Sequence, residues 1–424
     1  TKRARKQKIK KSRCKDGKKE CQKKIMAKKI HNIEGVQLGT ASSHTRYGDK
    51  EDSLLITLPK TAKVSCKFTS NKLKAAPVQL AINNLSSYSS GAKAFLINAG
   101  NANAATGQQG MKNVKSYCKA IASELNLKEE NVIPFSTGVI GEALPVNNYL
   151  SAFQEANTKL SPKNWAKAAN AILTTDTRPK IISKQITIGK QTFSITGFAK
   201  GSGMIRPDFA TLLSFVFIDA KINRRSLNKM HAEALDCSFN AITVDGDTSP
   251  NDSSALVANG NEAKLVETNS KAEKKIAQCV KGIFKELAEL LIEDAEGATK
   301  KIKISVSKAN NLQQAKSVAF TVAESPLVKT AMFGSDANWG RILSAVGRDR
   351  TIKTIENVQI KVNDVPLVKK GNIDPKYSEA KASRAMKKKE ILIQIILNTG
   401  KTEFEVLTSD LSEDYVLINS DYRS

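Results

Sequence analysis

Short runs of apolar residues, separated by polar, glycine or proline positions, recur along the chain and predict strands joined by turns. The run Leu212–Ile218 (LLSFVFI) is almost wholly apolar and short, which favours a fully buried strand over a helix. Other strands are predicted at Leu54–Thr61, Val64–Thr69, Ala94–Asn98 and Asn131–Gly141. Hairpins are predicted for Ile181–Ile188 with Thr192–Gly197 around Gly189-Lys190, and for Ile391–Leu397 with Glu403–Thr408 around Asn398-Thr399-Gly400.

Helical patterns alternate with these strands. Residues 112–126 and 148–172 are predicted to be helical, and apolar residues from Ile276 to Leu291 recur at the spacing of one helix face. The acidic segment Asp294–Lys300 (DAEGATK) is expected to end that last helix. Mixed in this order, the elements predict an α/β or α+β fold built in layers. The length of 424 residues favours two domains, or one α/β body with two lobes.

Charge changes this picture at one end of the chain. The net charge is +26, but residues 1–30 alone hold fifteen Lys or Arg against Asp16 and Glu20. We therefore expect residues 1–29 to be a disordered basic extension or, since the first methionine is Met26, the product of a misplaced start. A nucleic-acid-binding arm and an organelle address are the alternatives for this segment.

The cysteines, the histidines and the hydropathy of the chain limit which kinds of site and which cellular setting are expected. The six cysteines show no C-x-x-C spacing, so we expect reduced thiols in the cytoplasm. His31, His44 and His231 are isolated and lack acidic partners at metal-ligand spacing, which leaves no basis for a metal site or a Ser-His-Asp triad. No apolar run approaches the roughly 18 residues that span a bilayer, so a soluble protein is expected.

Two segments offer candidate chemistry. The stretch Gly100–Gly110 (GNANAATGQQG) is rich in residues that tolerate positive φ and could cradle a ligand. In Lys200–Thr211 (KGSGMIRPDFAT), small residues and Pro207 permit a strained backbone before Ala210-Thr211. A threonine held there could attack its own preceding carbonyl, and hydrolysis would free Thr211 as an N-terminus with both a hydroxyl nucleophile and an α-amine base. A simple turn before a buried strand is the other interpretation.

The segment Phe198–Leu213 (FAKGSGMIRPDFATLL) resembles the autoproteolysis segment of the ornithine acetyltransferase (glutamate N-acetyltransferase) family, whose precursors are cut between Ala and Thr. The resemblance runs from about residue 34 to the C-terminus. Eight further blocks agree with the family in order: FTSNKLKAAPV (Phe68–Val78), INAGNANAATGQQG (Ile97–Gly110), STGVIGE (Ser136–Glu142), TTDTRPK (Thr174–Lys180), TVDGDTSPND (Thr243–Asp252), DAEGATK (Asp294–Lys300), TAMFGSDANWGRI (Thr330–Ile342) and DYVLINSDYRS (Asp414–Ser424).

The resemblance implies particular roles for residues of this chain. Cleavage falls between Ala210 and Thr211, Thr211 carries the acyl group, and Thr137 with Gly138 forms the oxyanion hole. Substrate-binding positions fall on Thr174, Lys200, Thr211, Glu296, Asn419 and Ser424, with Thr175 and Thr177 as alternatives to Thr174. Three residues depart from the usual family residues: Arg206, Asp208 and the terminal Ser424. Arg206 and Asp208 flank the cleavage point and put the cleavage rate in question, whereas Ser424 stands where threonine is commoner and keeps a hydroxyl.

The resemblance also implies an architecture and an assembly. The expected fold is the layered α-β-β-α arrangement of the ornithine acetyltransferase (DmpA-like) type, self-cleaved into segments 30–210 and 211–424. The two products are expected to stay together and to pair into an α2β2 heterotetramer.

The implied activity is a ping-pong acetyl transfer in arginine biosynthesis, from N2-acetylornithine to glutamate through acetyl-Thr211. Acetyl-CoA is a possible second donor, and no metal or organic cofactor is implied. An aminopeptidase-like hydrolase with the same N-terminal threonine is one alternative, distinguished by water taking the place of glutamate. A basic nucleic-acid-binding module is another, and deletion of residues 1–25 distinguishes it because salt-sensitive binding would then be lost while turnover would not.

Overall fold

The computed structural model describes residues 29–87, 91–206 and 212–421, which form two compact units. The first unit comprises the described residues up to 201 together with 212–237 and 249–287. The second comprises residues 202–206, 238–248 and 288–421. The chain therefore passes between the units more than once.

The first unit contains nine strands and six helices among its described residues. Its strands are β1 (Gln37–Ala41), β2 (Ser53–Thr57), β3 (Lys63–Phe68), β4 (Ala94–Asn101), β5 (Val132–Val139), β6 (Lys180–Ile188), β7 (Gln191–Lys200), β8 (Leu213–Ile218) and β9 (Ser253–Ala258). Its helices are α1 (Ala76–Ser87), α2 (Gly107–Glu124), α3 (Val146–Thr158), α4 (Trp165–Ala171), α5 (Arg224–Asp236) and α6 (Lys271–Glu293), whose last residues belong to the second unit.

Two sheets face each other in this unit. One has the strand order β1-β2-β4-β5 and the other β3-β9-β8-β7-β6. Aromatic side chains fill the space between them: the Phe215 ring of the second sheet lies 5.1 Å from Phe135 and 6.0 Å from Phe95 of the first, measured between centroids. Burial of these large apolar side chains between the sheets removes their surface from water, and this makes the main favourable contribution to the free energy of packing the sheets together.

Helices cover the outer faces of both sheets. Leu55 and Leu96 point away from the aromatic layer and pack with Ile121 of α2 and Phe153 of α3. Helix α5 packs on β3 and β9 of the other sheet. Alternate side chains of each strand therefore point into two different cores, one between the sheets and one under the helices. The predicted α-β-β-α layering is confirmed.

The second unit is a six-stranded sheet with helices on its apolar face. Its order is β13-β12-β11-β14-β10-β15, from β10 (Lys301–Ala309), β11 (Gln359–Val362), β12 (Val365–Lys369), β13 (Asn372–Ile373), β14 (Glu390–Ile396) and β15 (Thr402–Ser409). Its helices are α7 (Leu312–Ala323), α8 (Pro326–Phe333), α9 (Trp339–Gly347), α10 (Glu379–Met386) and α11 (Glu413–Ser420). Alternate residues of β10, Ile302, Ile304 and Val306, are buried in the core with the helices.

Several sequence predictions are confirmed. Strands β6 and β7 form the expected hairpin, with Gly189 at a φ of +62° in its turn. Strand β8 is buried along its whole length and lies between β7 and β9. The amphipathic helix predicted before the DAEGATK segment is α6. Among the residues the structure describes, none of the helices combines the length and the apolar character that a membrane crossing requires.

The predicted hairpin of Ile391–Leu397 with Glu403–Thr408 is wrong. Strands β14 and β15 both exist, but β10 lies between them, parallel to β14 and antiparallel to β15. The intervening turn bonds to β10 rather than closing a hairpin, since the amides of Thr399 and Gly400 both donate to the carbonyl of Lys308, at 2.8 Å and 2.9 Å.

The single helix predicted over 148–172 is also wrong. It is split into α3 and α4, with a break at Ser161-Pro162. The residue before a proline disfavours helical φ and ψ, and Ser161 instead forms an isolated bridge with Leu38 of β1.

Candidate active site

Thr137 and Gly138 lie near the end of β5, beside Gly100 of the parallel strand β4. Gly138 has a φ of +136°, and a Cβ atom there would lie 2.2 Å from the carbonyl carbon of Gly100. No other residue fits without moving one of the strands. The Ser-Thr-Gly motif is therefore an irregular strand end in which two backbones touch, and Thr137 stands half-buried beside this point.

Three of the predicted site residues meet at Lys200, the last residue of β7, which contacts Thr137 and Thr174. The residue is 8% exposed, and its ammonium donates to Thr137 Oγ1 at 3.1 Å and to Thr174 Oγ1 at 2.7 Å. Thr174, the first of the three candidate threonines, thus accepts a hydrogen bond from the predicted substrate-binding lysine. A cation flanked by hydroxyls is suited to binding a carboxylate.

Asp176, which the sequence did not single out, holds this cluster in place. Its Oδ1 accepts from the Lys180 ammonium at 2.6 Å and from the Gly201 amide at 2.7 Å, and its Oδ2 lies 3.9 Å from the Lys200 ammonium. Burial acts to raise the pKa of Asp176, but the charges of Lys180 and Lys200, with these hydrogen bonds, hold that pKa well below its ordinary value. The sequence feature that could have pointed to Asp176 is its position four residues before Lys180, a spacing at which opposite charges can pair.

The second unit holds another pair of predicted residues. Glu296 is 8% exposed, and its Oε2 accepts from the Asn419 side-chain amide at 2.8 Å. Gly203 lies against it, since a Cβ atom at that position would lie 2.3 Å from Glu296 Oε2. Within the described part of the chain this carboxylate accepts from one neutral side chain, and a buried carboxylate in that setting is suited to binding a cationic amine.

Asp245 and Tyr415, close to this pair in the second unit, were also not predicted. Asp245 accepts the backbone amides of Met204 at 2.6 Å and Ile205 at 2.9 Å, and the Tyr415 hydroxyl donates to it at 3.2 Å. Burial raises the pKa of Asp245 although these hydrogen bonds oppose the rise. Burial and the Asp245 carboxylate raise the pKa of the Tyr415 phenol well above its ordinary value. The carboxylate anchors the chain just before Arg206.

Arg206, one of the departures from the family pattern, is held in place by other residues of the second unit. Its Nε donates to Glu324 Oε1 at 2.8 Å, and its guanidinium lies 5.7 Å from the centroid of the Phe320 ring. The cleavage pair Ala210 and Thr211, Asp208, and the terminal Ser424 lie outside the described residues.

His231 is an ordinary buried histidine with hydroxyl partners. Its ring nitrogens lie 3.1 Å and 2.9 Å from the hydroxyls of Ser65 and Ser254. Burial, with a smaller effect of Lys67, lowers the pKa of His231 to about 3, so the ring is neutral at physiological pH. The described cysteines, Cys66, Cys118, Cys237 and Cys279, are free thiols.

The first unit is thus an α/β sandwich with a buried lysine, two hydroxyls and an irregular strand end in one place. Comparison with known proteins identifies it further. The ArgJ family model matches residues 37–424. The arginine biosynthesis bifunctional protein ArgJ of Methylococcus capsulatus is 42% identical over 394 residues, covering 92% of this chain and 96% of that protein. Its namesake from Colwellia psychrerythraea is 38% identical over 417 residues, covering 94% and 98%. The chain belongs to the ArgJ family, and the predicted resemblance is confirmed.

Solved structures include a similar chain from Bacillus halodurans, a crystal structure of arginine biosynthesis bifunctional protein ArgJ. It is 33% identical, with a TM-score of 0.46, and the match covers 49% of the present chain and 97% of that one. A structure of ornithine acetyltransferase with ornithine from Mycobacterium tuberculosis is 27% identical, with a TM-score of 0.36 and coverage of 42% and 94%.

Proposed function

We propose that this enzyme of arginine biosynthesis cleaves itself before Thr211 and then transfers an acetyl group from N2-acetylornithine to glutamate. Membership of the ArgJ family supports the activity. The single structural observation that supports it most is the meeting of Thr137, Thr174 and Lys200, since these groups serve a substrate carboxylate and a developing oxyanion.

The first step of the proposed chemistry prepares the nucleophile. Thr211 Oγ attacks the carbonyl carbon of Ala210, the peptide C–N bond breaks, and the acyl group moves from nitrogen to oxygen. Water then hydrolyses the ester, which leaves a carboxylate on Ala210 and a free α-amine on Thr211. An α-amine has an ordinary pKa of about 8, so a useful fraction is unprotonated near neutral pH.

In the transfer itself, the α-amine takes the hydroxyl proton of Thr211 as Oγ attacks the acetyl carbonyl. The Thr137 hydroxyl and the Gly138 amide stabilise the oxyanion, and losing one such donor typically costs about 3 kcal/mol. The proton then passes to the leaving nitrogen of ornithine. The amine of glutamate attacks acetyl-Thr211 and gives a proton to the α-amine base. The α-amine passes this proton to Thr211 Oγ as the Oγ–C bond breaks, which releases N-acetylglutamate and restores the free enzyme.

Two measurements test the proposal together. A denaturing gel with N-terminal sequencing is expected to show two fragments, the second beginning Thr-Leu-Leu-Ser. Initial rates with varied N-acetylornithine and glutamate are expected to give the parallel double-reciprocal lines of a ping-pong reaction. Release of acetate that glutamate does not suppress would instead support a hydrolase, and intersecting lines would contradict the acetyl-enzyme.

The substrate-binding proposal assigns the cationic amine of N-acetylornithine to Glu296. Replacing Glu296 by glutamine is expected to raise KM for N-acetylornithine by about 10- to 100-fold with a smaller change in kcat, because a hydrogen bond to a charged group contributes about 1.5–3 kcal/mol. Steady-state kinetics measure this. The matched control is Glu293→Gln, which removes a nearby carboxylate that pairs with Lys301. Equal KM values for both variants would contradict the assignment.

Assembly, location and a second donor complete the proposal. The two fragments stay associated and pair into an α2β2 heterotetramer in the cytoplasm, acetyl-CoA can also acylate Thr211, and no metal or organic cofactor takes part. Light scattering of the purified protein tests the heterotetramer, and an assay of acetyl transfer from acetyl-CoA tests the second donor. A particle of one fragment pair would contradict the heterotetramer.

A further inference from the structure

The asparagines at the end of β4 and in the segment after it, part of which the sequence suggested as a ligand cradle, make hydrogen bonds within the fold. Asn98, Asn101 and Asn103 are all buried, and so is Ser136 on the neighbouring strand β5. Their side chains form hydrogen bonds to one another and to backbone groups of the segments that flank Thr137 and Gly138 in the sheet. A buried network of hydrogen bonds whose groups all have partners makes the surrounding backbone rigid. The segment made rigid here is the one that contains Thr137 and Gly138.

Asn98 fixes the residue before Thr137. It lies opposite Ser136 in the register of β4 and β5. Its Oδ1 accepts the Ser136 hydroxyl at 2.5 Å, and its Nδ2 donates to the Asn101 carbonyl at 2.8 Å. One side chain therefore ties β5 to the segment that follows the bend at Gly100.

Asn101 fixes the chain after Gly138. The strand register shifts there, and Asn101 pairs with both Thr137 and Val139. Its Nδ2 lies within hydrogen-bond distance of the carbonyls of Glu142 and Ala143, at 3.3 Å and 3.2 Å, and its Oδ1 accepts the Asn103 amide at 2.8 Å. The chain is thus tied on both sides of the two oxyanion-hole residues.

We infer that Asn98 and Asn101 are positioning residues, which hold Thr137 and Gly138 where the transition state requires them without touching the substrate. The inference rests on the proposed acetyl transfer. Its physical basis is that an oxyanion hole works through donors fixed before the reaction. A displacement of about 1 Å at a reacting group costs about 100-fold in rate.

The test compares Asn98→Leu and Ser136→Ala with the wild-type enzyme, with rates expressed per Thr211-initiated fragment so that incomplete cleavage does not count. Asn98→Leu is expected to lower kcat about 10- to 100-fold, with KM for N-acetylornithine changed by less than about threefold. Ser136→Ala removes one hydroxyl and is expected to lower kcat by about fivefold, the equivalent of one ordinary hydrogen bond. The double variant is expected to lose less than the product of the two, because both remove the same contact.

A matched control separates positioning from general stability. Asn131, buried at the opposite end of β5, donates to the Gly91 carbonyl at 2.7 Å. Asn131→Leu is expected to lower the unfolding midpoint and leave kcat unchanged. Equal losses of kcat in Asn98→Leu and Asn131→Leu would overturn the inference. If Asn98→Leu does not fold, an unchanged kcat in Ser136→Ala overturns it. A wild type without acetyl transfer would remove the proposed function itself, a result distinct from both.

Discussion

Replacing Thr211 by alanine is expected to leave the chain intact and to abolish acetyl transfer, with a fall in kcat of at least about 10³-fold. In the proposed mechanism the Thr211 hydroxyl attacks the Ala210 carbonyl, and alanine lacks that hydroxyl, so no new N-terminus is expected to form. The same hydroxyl is the proposed acyl acceptor in transfer, so both activities are expected to be lost through one atom. A denaturing gel and a glutamate acetylation assay on the same preparation measure the two effects.

Thr211→Ser is the matched control, because it keeps the hydroxyl and removes only a methyl group. It is expected to be cleaved and to transfer acetyl groups at a reduced rate. An intact Thr211→Ala chain that still transferred acetyl groups would show that neither the hydroxyl nor the freed amine is needed. That result would leave the family membership standing and remove the proposed mechanism.

The second large effect concerns stability. Asp176→Ala is expected to lower the free energy of unfolding by about 3–5 kcal/mol, the usual cost of removing one partner from a buried ion pair. It leaves the fully buried Lys180 ammonium without its carboxylate and removes the acceptor of the Gly201 amide. Urea unfolding at neutral pH measures the loss. Acetyl transfer is also expected to fall, because Lys200 loses a buried carboxylate that lies 3.9 Å from its ammonium.

Glu155→Ala offers a control of the same spacing. Glu155 pairs with Lys159 four residues later, as Asp176 does with Lys180, but on the surface. Its removal is expected to cost less than about 0.5 kcal/mol. If both substitutions cost the same, burial does not decide the effect and the interpretation of Asp176 is wrong.

The Asp176 contribution also carries a pH dependence. Because the pKa of Asp176 is lower in the folded than in the unfolded chain, its stabilisation is complete above the ordinary aspartate value of about 3.9 and declines as pH falls below it. The stability difference between wild type and Asp176→Ala is therefore expected to shrink from pH 5 downwards. Unfolding free energies measured at several acidic pH values test this, and a constant difference would contradict it.

Local signals in the sequence were enough for much of the fold. The β6–β7 hairpin carries its own turn, and β8 is short and apolar enough to be identified alone. The β14–β15 pairing failed because its turn looks like a hairpin, whereas β10 comes from far earlier in the chain and takes the place between the strands. Insertion of a distant strand leaves no mark in the local pattern.

The site was predicted in part. Thr137, Thr174 and Lys200 came from the family resemblance, and the structure brings them together, although their roles stay predictions. Asp176 and Asp245 were missed because a single acidic residue in a polar segment looks like a solvated charge. Their importance follows only from burial and from partners distant in sequence, such as Gly201 and Tyr415.

The five-stranded sheet of the first unit has a consequence for the proposed cut before Thr211. Strands β8 and β9 would then belong to one polypeptide, while β3, β6 and β7 would belong to the other. Since β8 and β9 lie between β3 and β7, the fragments could come apart only by unzipping two ladders of hydrogen bonds. Refolding of the separated fragments would then be a bimolecular encounter whose half-time lengthens on dilution.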